Sequence, residues 1–258
     1  MISENHKFIY VHIIKTGGTS LEKILKQRHP VMIKHPQKIR GNVFNGIPRA
    51  IPHSKPPVYD FSLVGRRSVD VSVIGAKAMW EYEREKKSHI SAKQYKDFLT
   101  KENRLDIWND YFKFSVVRNP FSYIVSVFKM LNGPYFGRGK KQHYENQIPS
   151  EFPEFVKHLT DERNPLFRKE DQHMWTQTDW LCDVDGNVLV DKVGKMETLQ
   201  KDFGEICKKL NWDNIKVPRI NASKIKIPYT DYYTDELIEL VGNYYCNDLI
   251  NFNYKFGE

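Results

Sequence analysis

A short segment near the start of the chain contains a lysine, two glycines and several residues with side-chain hydroxyls. The segment FIYVHIIKTGGTSLEKIL has the pattern of a strand, then a loop with Lys15, Gly17, Gly18, Thr19 and Ser20, then an amphipathic helix. The first N–H groups of a helix lack intrahelical partners, and glycines let a phosphate approach the backbone closely. With an ammonium and two hydroxyls added, the pattern predicts a cradle for a phosphate group.

The order of these residues differs from that of a nucleoside-triphosphate P-loop. That loop runs G-x-x-x-x-G-K-[ST], whereas here Lys15 comes first, directly after the strand, and the glycines follow. The loop is therefore predicted to hold a phosphate that does not belong to a magnesium–ATP complex. The alternative is a turn that only connects a strand to a helix.

A second strand–turn–helix unit carries its own basic residue later in the chain. In FSVVRNPFSYIVSVF, Arg118 ends the apolar run, and Ser122 and Ser126 lie on one face of the following helix. Arg118 and Ser126 could clamp a second phosphate, because a guanidinium offers a planar fork of donors. The alternative is an arginine paired with an acidic neighbour and a serine bonded to its own helix.

Strands that alternate with helices must position these side chains. Strands are predicted at the start of the 8–28 unit, at Tyr111–Val117 and at Asn187–Val193. Helices are predicted at 91–100 with Ser91 as N-cap, Phe121–Met130 after Pro120, 151–160, Thr198–Leu210 and Thr234–Phe252. This alternation indicates an α/β fold of the P-loop type, with three layers and a central parallel sheet flanked by helices. Ligands of such sheets bind at the carboxyl ends of the strands, so both basic junctions are expected to face one ligand.

The bulk composition is that of an ordinary globular protein with a basic surface. The 258 residues are 40% hydrophobic, and no stretch is apolar for the about 18 residues that a membrane span needs. The first residues lack the pattern of a signal peptide, so a cytoplasmic protein is expected. The net charge of +8 favours anionic partners without choosing among them. Three scattered cysteines argue against a disulfide framework and a cysteine zinc site.

Residues 29–60 change character, because they hold six of the chain's 13 prolines and many basic residues. Long irregular segments of this kind usually carry function or are mobile. The chain is therefore predicted to form a single domain over 1–258, with 29–85 as an irregular insert.

The acidic stretch Asp183-Val184-Asp185-Gly186-Asn187 invites a metal-binding interpretation that its spacing does not support. In a calcium loop that starts at Asp183, the sixth position should be glycine and the twelfth glutamate, but Val188 and Gly194 stand there. Asp and Gly suffice for a turn between two strands. We expect a turn here, and no metal site in the protein.

Together, the two basic junctions resemble the donor-binding motifs of sulfotransferases. Lys15-Thr16-Gly17-Gly18-Thr19-Ser20-Leu21 is similar to their 5′-phosphosulfate loop, and Val117-Arg118-Asn119-Pro120 with Ser126 is similar to their 3′-phosphate motif. The likeness is to the carbohydrate branch, the heparan and chondroitin sulfotransferases, and covers about 8–28 and 86–254. Further similar segments are Ser88-His89-Ile90-Ser91-Ala92, Val193–Leu199 with Asp202-Phe203, and Asn221-Ala222-Ser223 before Tyr232-Tyr233-Thr234. The stretch 29–85 has no counterpart there, and acceptor specificity could lie in it.

The resemblance implies transfer of the sulfuryl group of 3′-phosphoadenosine 5′-phosphosulfate to an acceptor hydroxyl by in-line displacement, without a metal. Lys15 would bind the bridging oxygen, where a fixed ammonium stabilises the charge that develops on the leaving group. The amides of the loop Thr16–Ser20 and its last two hydroxyls would hold the 5′-phosphate. Arg118 and Ser126 would hold the 3′-phosphate, a group that ATP lacks.

His89 is the candidate general base for the acceptor hydroxyl, since imidazole accepts a proton near neutrality. The resemblance places a histidine of the glycan sulfotransferases at this position. A second histidine of the heparan 2-O-sulfotransferases corresponds here to Lys87. The alternative reading is that His89 only packs under the following helix, and Glu83, Glu85 and His53 are the alternative bases.

The acceptor is predicted to be a glycan or glycoconjugate, while a lipid-linked sugar, a small alcohol and a protein tyrosine stay open. His173 and Gln177 are candidates to touch it, whereas His12, inside the first strand, is predicted to be a core residue. Basic clusters that could hold an anionic acceptor are Arg66, Arg67, Lys86, Lys87, Arg138, Lys140 and Lys141.

Three other functions compete with sulfuryl transfer. A P-loop nucleotide-dependent kinase would share the phosphate cradle but would need magnesium and ATP. A non-catalytic polyanion-binding protein would use the basic surface alone, and a degenerate sulfotransferase would bind the donor without turnover. Nucleic acid is not predicted as a partner, and the oligomeric state stays open.

Overall fold

The computed structural model describes residues 1–28, 49–50, 59–60, 89–133, 148–161, 175–218 and 227–258. The strands are β1 Ile2–Ser3, β2 Phe8–Val11, β3 Arg49–Ala50, β4 Tyr59–Asp60, β5 Phe112–Val117 and β6 Lys192–Lys195. The helices are α1 Gly18–Arg28, α2 Ala92–Lys101, α3 Leu105–Asp110, α4 Pro120–Leu131, α5 Phe152–Thr160, α6 Gln177–Leu181, α7 Leu199–Lys209, α8 Asp235–Tyr244 and α9 Cys246–Asn251. A short 3-10 helix, Tyr229–Tyr232, precedes α8.

The main sheet has four strands in the order β1-β2-β5-β6. β2 pairs in parallel with β5, and β5 pairs in parallel with β6. β1 lies antiparallel on the outer side of β2, because the chain turns back directly after Ser3. The predicted α/β class and central sheet are confirmed, but the sheet is mostly parallel rather than wholly parallel. β3 and β4 form a separate antiparallel pair.

Helices cover both faces of the main sheet, as alternate residues of β2 show. Ile9 and Val11 pack with α2, α3 and α6 on one face, whereas Phe8 and Tyr10 pack with α1 and α7 on the other. All four side chains are fully buried. A parallel strand that is buried on both faces is a continuous apolar run, which is the pattern of FIYV. A further apolar cluster joins α4, α5 and α8.

Two predicted elements differ from the structure. The strand expected at 187–193 begins only at Lys192, because the preceding residues form a turn and a short antiparallel bridge between Cys182 and Val188. The single closing helix expected at Thr234–Phe252 is two helices, α8 and α9, which break at Tyr245. The Tyr245 ring is buried against α4, and α9 beyond the break carries Asp248 into the protein interior.

The predicted helices that correspond to α2, α4, α5 and α7 agree with the structure closely, whereas α3 and α6 were not predicted. Pro120 is the first residue of α4, and the preceding Asn119 side chain accepts a hydrogen bond from the Phe121 N–H. Within the described ranges, no helix is long and apolar enough to cross a membrane. Within the insert expected at 29–85, the structure describes only β3 and β4. The single-domain organisation therefore stays a prediction.

Replacing Ser91 tests whether its side chain caps α2 and thereby stabilises the protein. The Ser91 hydroxyl accepts from the Gln94 N–H at 3.2 Å, and the Gln94 amide oxygen accepts from the Ser91 N–H at 2.9 Å, which is a complete capping box. Ser91→Ala should lower the free energy of unfolding by about 1 kcal/mol in urea denaturation. Ser150→Ala, at an exposed position outside any helix, is the control and should leave stability unchanged. Equal effects of the two changes would contradict the cap.

Candidate functional site

The loop between β2 and α1 turns through two residues with left-handed backbone conformation, Lys15 with φ 61° and Gly17 with φ 84°. Glycine adopts this conformation freely, but a lysine does so only at an energetic cost that the surrounding structure must offset. The Lys15 side chain is half-buried. Burial lowers the pKa of its ammonium, and the positive charge of Arg118 lowers that pKa further. The loop thus fixes a partly desolvated cation directly after the first parallel strand.

Neither glycine of the loop has room for a side chain. A Cβ on Gly17 would lie 2.5 Å from the Met196 sulfur, and a Cβ on Gly18 would overlap the His12 ring. Met196 lies between β6 and α7, and His12 follows β2, so the loop is packed from two sides. Because Gly18 is the first residue of α1, these contacts also fix the N-terminus of that helix.

The three hydroxyls of the loop differ in what they can offer a ligand. Thr16 is fully buried, and its hydroxyl donates to the Ile13 carbonyl at 3.0 Å. Ser20 is nearly buried, and its N–H donates to the Gly17 carbonyl at 3.0 Å, whereas Thr19 is exposed. The Thr16 hydroxyl is therefore bonded within the loop, so a phosphate could bind Thr16 only through its backbone N–H. The predicted binding roles of these residues stay predictions.

The Arg118 side chain reaches from the end of β5 to the lysine loop. Its Nη1 donates to the Lys15 carbonyl at 3.3 Å, across 103 positions of sequence, and its Nε donates to the Ser122 hydroxyl at 2.9 Å. Burial lowers the pKa of the Arg118 guanidinium, although the Glu197 carboxylate opposes this shift. The structure therefore brings the two predicted basic junctions together at the carboxyl edge of the sheet.

Ser126 lies one helical turn beyond Ser122 on α4 and is partly exposed. The guanidinium of Arg118 contacts the nearer serine, Ser122, to which the sequence assigned a face but no role. Binding of a phosphate by Ser126 stays a prediction, and Ser122 joins the residues that orient Arg118.

Gln177 has a different role from the one that the sequence suggested. It is fully buried, so it cannot touch an acceptor, and it holds the backbone of Arg118 instead. Its Oε1 accepts from the Arg118 N–H at 2.7 Å, and its Nε2 donates to the Arg118 carbonyl at 2.8 Å. One side-chain amide thus satisfies both backbone polar groups of the residue that follows β5.

A buried carboxylate that sequence reasoning missed, Asp248 of α9, holds that glutamine in place. It accepts four hydrogen bonds: from the Gln177 N–H at 2.9 Å, Gln177 Nε2 at 3.2 Å, the Thr178 N–H at 2.7 Å and the Thr178 hydroxyl at 2.7 Å. Burial raises the pKa of Asp248, and these hydrogen bonds oppose the shift. In the stretch CNDLIN nothing in the sequence shows that Asp248 is buried while its neighbour Asn247 is exposed, so the role of Asp248 could not be predicted.

A second carboxylate, Glu197, holds the next residue of the turn. Its Oε1 accepts from the Asn119 N–H at 2.8 Å, and its Oε2 accepts from the Tyr254 hydroxyl at 2.8 Å. Burial raises the pKa of that hydroxyl, and the Glu197 charge raises it further. The Asn119 side chain also donates to the Lys255 carbonyl at 2.8 Å, so the C-terminal segment packs directly against the turn.

His89, the predicted base, lies just before α2 between two aromatic neighbours. Its ring centroid is 5.2 Å from that of His12 and 6.2 Å from that of Trp180. Nδ1 of His12 lies 2.7 Å from a Glu22 carboxylate oxygen of α1. The predicted core residue His12 is therefore a polar neighbour of His89 that is tied to the helix after the loop. The other candidates, Glu83, Glu85, His53, His173 and the basic clusters, lie outside the described residues.

The stretch Asp183–Asn187 is a turn, as the spacing predicted. The Asp183 carboxylate accepts from the Asp185 N–H at 3.0 Å and the Asn187 N–H at 2.9 Å, and Gly186 has φ 84°. The bond from the Asn187 backbone lowers the pKa of Asp183. Over the part of the chain that the structure describes, no group of three or more His, Cys, Asp or Glu side chains could hold a metal ion.

Adding one methyl group at Gly18 tests how tightly the loop is packed. Gly18→Ala should lower the free energy of unfolding by roughly 1–3 kcal/mol, because the new Cβ displaces the His12 ring. The matched control is Gly204→Ala within α7, where the new Cβ would meet only the Asn214 side chain at 3.4 Å. There the higher helix propensity of alanine should raise stability by up to about 1 kcal/mol in the same urea denaturation. A neutral Gly18→Ala would contradict the packing of His12 against the loop.

A comparison with protein families matches this chain to one family. The model of the family described as "Sulfotransferase family" matches residues 1–255, which include both basic junctions. Neither a comparison with curated proteins nor one with solved structures gave a significant match. Because the family match spans almost the whole chain, the protein belongs to the sulfotransferase family and is a transferase enzyme.

Proposed function

We propose that this enzyme transfers the sulfuryl group of 3′-phosphoadenosine 5′-phosphosulfate to an acceptor hydroxyl, and that Lys15 and Arg118 hold the donor. One observation carries the proposal: the Arg118 guanidinium contacts the backbone of Lys15. The turn after β5 therefore reaches the loop after β2, its parallel neighbour, at the edge of the sheet where ligands of α/β folds bind.

The residues at this edge suit a ligand with two separated phosphate groups. The two cations are close enough for the charge of Arg118 to lower the pKa of Lys15, and an anion bound between them would relieve that repulsion. The Gly17-Gly18 backbone at the start of α1 lets one phosphate come close, as at other helix N-termini. The planar fork of Arg118 suits the second phosphate, which the donor has and ATP lacks.

Lys15 and His89 are the residues proposed to take part in the reaction. As the acceptor oxygen attacks sulfur, the bond between sulfur and the bridging oxygen breaks, and negative charge develops on that oxygen. An ammonium held in a fixed backbone conformation stabilises this charge without reorganisation at the moment of reaction. His89 accepts the proton of the acceptor hydroxyl, and 3′-phosphoadenosine 5′-phosphate is the nucleotide product.

A glycan hydroxyl is the proposed acceptor. The support is the likeness of the two donor motifs and of the segment around His89 to the carbohydrate branch of the family. The net charge of +8 suits an acidic polysaccharide among the possible glycans.

Calorimetric titration with 3′-phosphoadenosine 5′-phosphate in metal-free buffer tests the donor site. The wild-type protein should bind this nucleotide and bind ATP far more weakly. Arg118→Ala should weaken binding of the bisphosphate by about tenfold or more, since a charged hydrogen-bonded contact is lost.

The control for lost charge is Lys201→Ala, which removes an exposed lysine on α7 and should leave nucleotide affinity unchanged. Preference for ATP, only with magnesium, would overturn the proposal in favour of a kinase. If Lys201→Ala weakened binding as much as Arg118→Ala, the protein would be a general polyanion binder.

The role of His89 is tested by turnover with desulfated heparan and chondroitin oligosaccharides as acceptors. His89→Asn should lower kcat by roughly 100-fold or more, because proton transfer from the acceptor is lost, while the affinity for 3′-phosphoadenosine 5′-phosphate stays the same. His158→Asn on α5, outside the site, should change neither quantity. Full turnover by His89→Asn would exclude His89 as the base.

A further inference from the structure

We infer that Gln177, oriented by Asp248, is a positioning residue that gives the donor site its preference for a nucleotide with a 3′-phosphate. The inference rests on the proposed function, in which Arg118 binds that phosphate. Gln177 and Asp248 are fully buried, so both act through Arg118 rather than on the ligand.

The backbone of the turn after β5 is held by side chains and loops from two other parts of the chain. The Val117 carbonyl accepts from the Met196 N–H at 2.7 Å. The N–H and carbonyl of Arg118 both bond to the Gln177 amide, and the Asn119 N–H bonds to Glu197. Two hydrogen bonds to one residue fix the orientation of its peptide groups, and thereby the direction in which the Arg118 side chain leaves the strand.

Asp248 decides which way the Gln177 amide faces. All four groups that bond to it are donors from the first two residues of α6. They are the backbone N–H groups of Gln177 and Thr178, the Gln177 side-chain amide and the Thr178 hydroxyl. Such a set leaves the carboxylate as an acceptor only, so Nε2 of Gln177 must face it. With Nε2 shared between Asp248 and the Arg118 carbonyl, Oε1 is left to accept from the Arg118 N–H, as observed.

This arrangement has a specific consequence for ligand recognition. A guanidinium binds a phosphate well only when its fork of N–H groups is aligned with the phosphate oxygens, so a loosened Arg118 backbone weakens that one contact. The lysine loop also packs against Met196 and His12, in addition to the hydrogen bond that the Lys15 carbonyl accepts from Arg118. Loss of Gln177 should therefore weaken binding of the 3′-phosphate far more than binding of the 5′-phosphate, because other side chains also pack against the lysine loop.

The test compares the affinities of two nucleotides, 3′-phosphoadenosine 5′-phosphate and adenosine 5′-monophosphate, by calorimetry. Gln177→Met fills the space of the glutamine without its hydrogen bonds, and Gln177→Ala is the second variant. Both should weaken the bisphosphate about tenfold and change the monophosphate less than about twofold. In an Arg118→Ala background, Gln177→Met should cause no further loss, because the two residues act on the same contact.

The matched control is Gln200→Ala on α7. Gln200 also holds backbone through both amide atoms, with Nε2 donating to the Ile215 carbonyl at 3.0 Å and Oε1 accepting from the Val217 N–H at 2.9 Å, but it lies outside the site. Its loss should leave both nucleotide affinities unchanged.

The outcomes separate this inference from the proposed function. If the wild-type protein does not prefer the bisphosphate, the proposed donor site is wrong. If the wild-type protein has the preference and the Gln177 variants keep it, the inference is wrong. Equal weakening of both nucleotides by the Gln177 variants would also overturn it, because that result indicates a general structural role.

Discussion

The parallel pairing of β2 with β5 is the constraint on which the candidate site depends. The register pairs Val11 with Ser115, and the Ser115 hydroxyl donates to the Val11 carbonyl at 2.7 Å, which ties the two strands together near their carboxyl ends. Both strands therefore end at the same edge, and the loop of Lys15 and the turn of Arg118 start next to each other. A slip of one residue would move each side chain of β2 to the opposite face of the sheet and disrupt the packing on both faces, so this packing keeps the two cations together.

Keeping two cations side by side, away from full solvation, is unfavourable, and the surrounding structure offsets that cost. Lys15 stands in a left-handed backbone conformation that Met196 and His12 hold by packing against the adjacent glycines. Arg118 is held through its backbone by Gln177 and through its side chain by Ser122. A site organised in this way before the ligand arrives needs little rearrangement to bind phosphate groups, which is the main advantage of preorganisation in group transfer.

The sequence revealed those parts of the site whose signals are local. The strand, loop and helix around Lys15, the Arg118-Asn119-Pro120 turn and the Ser91 cap are each encoded within a few neighbouring positions. The sequence singled out Gln177 for a different role, and its bonds to Arg118 could not be recognised because the two residues lie 59 positions apart. Asp248 was missed because its partners lie 70 to 71 positions away and a buried carboxylate looks like an exposed one in sequence. The antiparallel β1 was missed because two residues carry no periodicity, and the break between α8 and α9 because an apolar pattern continues through Tyr245.

The most direct test of the central claim is a crystal structure of the protein with 3′-phosphoadenosine 5′-phosphate. The account predicts that the 5′-phosphate lies at the backbone of Gly17 and Gly18 beside the Lys15 ammonium. It also predicts that the 3′-phosphate lies within hydrogen-bond distance of the Arg118 guanidinium, with the Gln177 amide still bonded to the Arg118 backbone. A nucleotide bound elsewhere, or one whose two phosphates both avoid Lys15 and Arg118, would contradict the account.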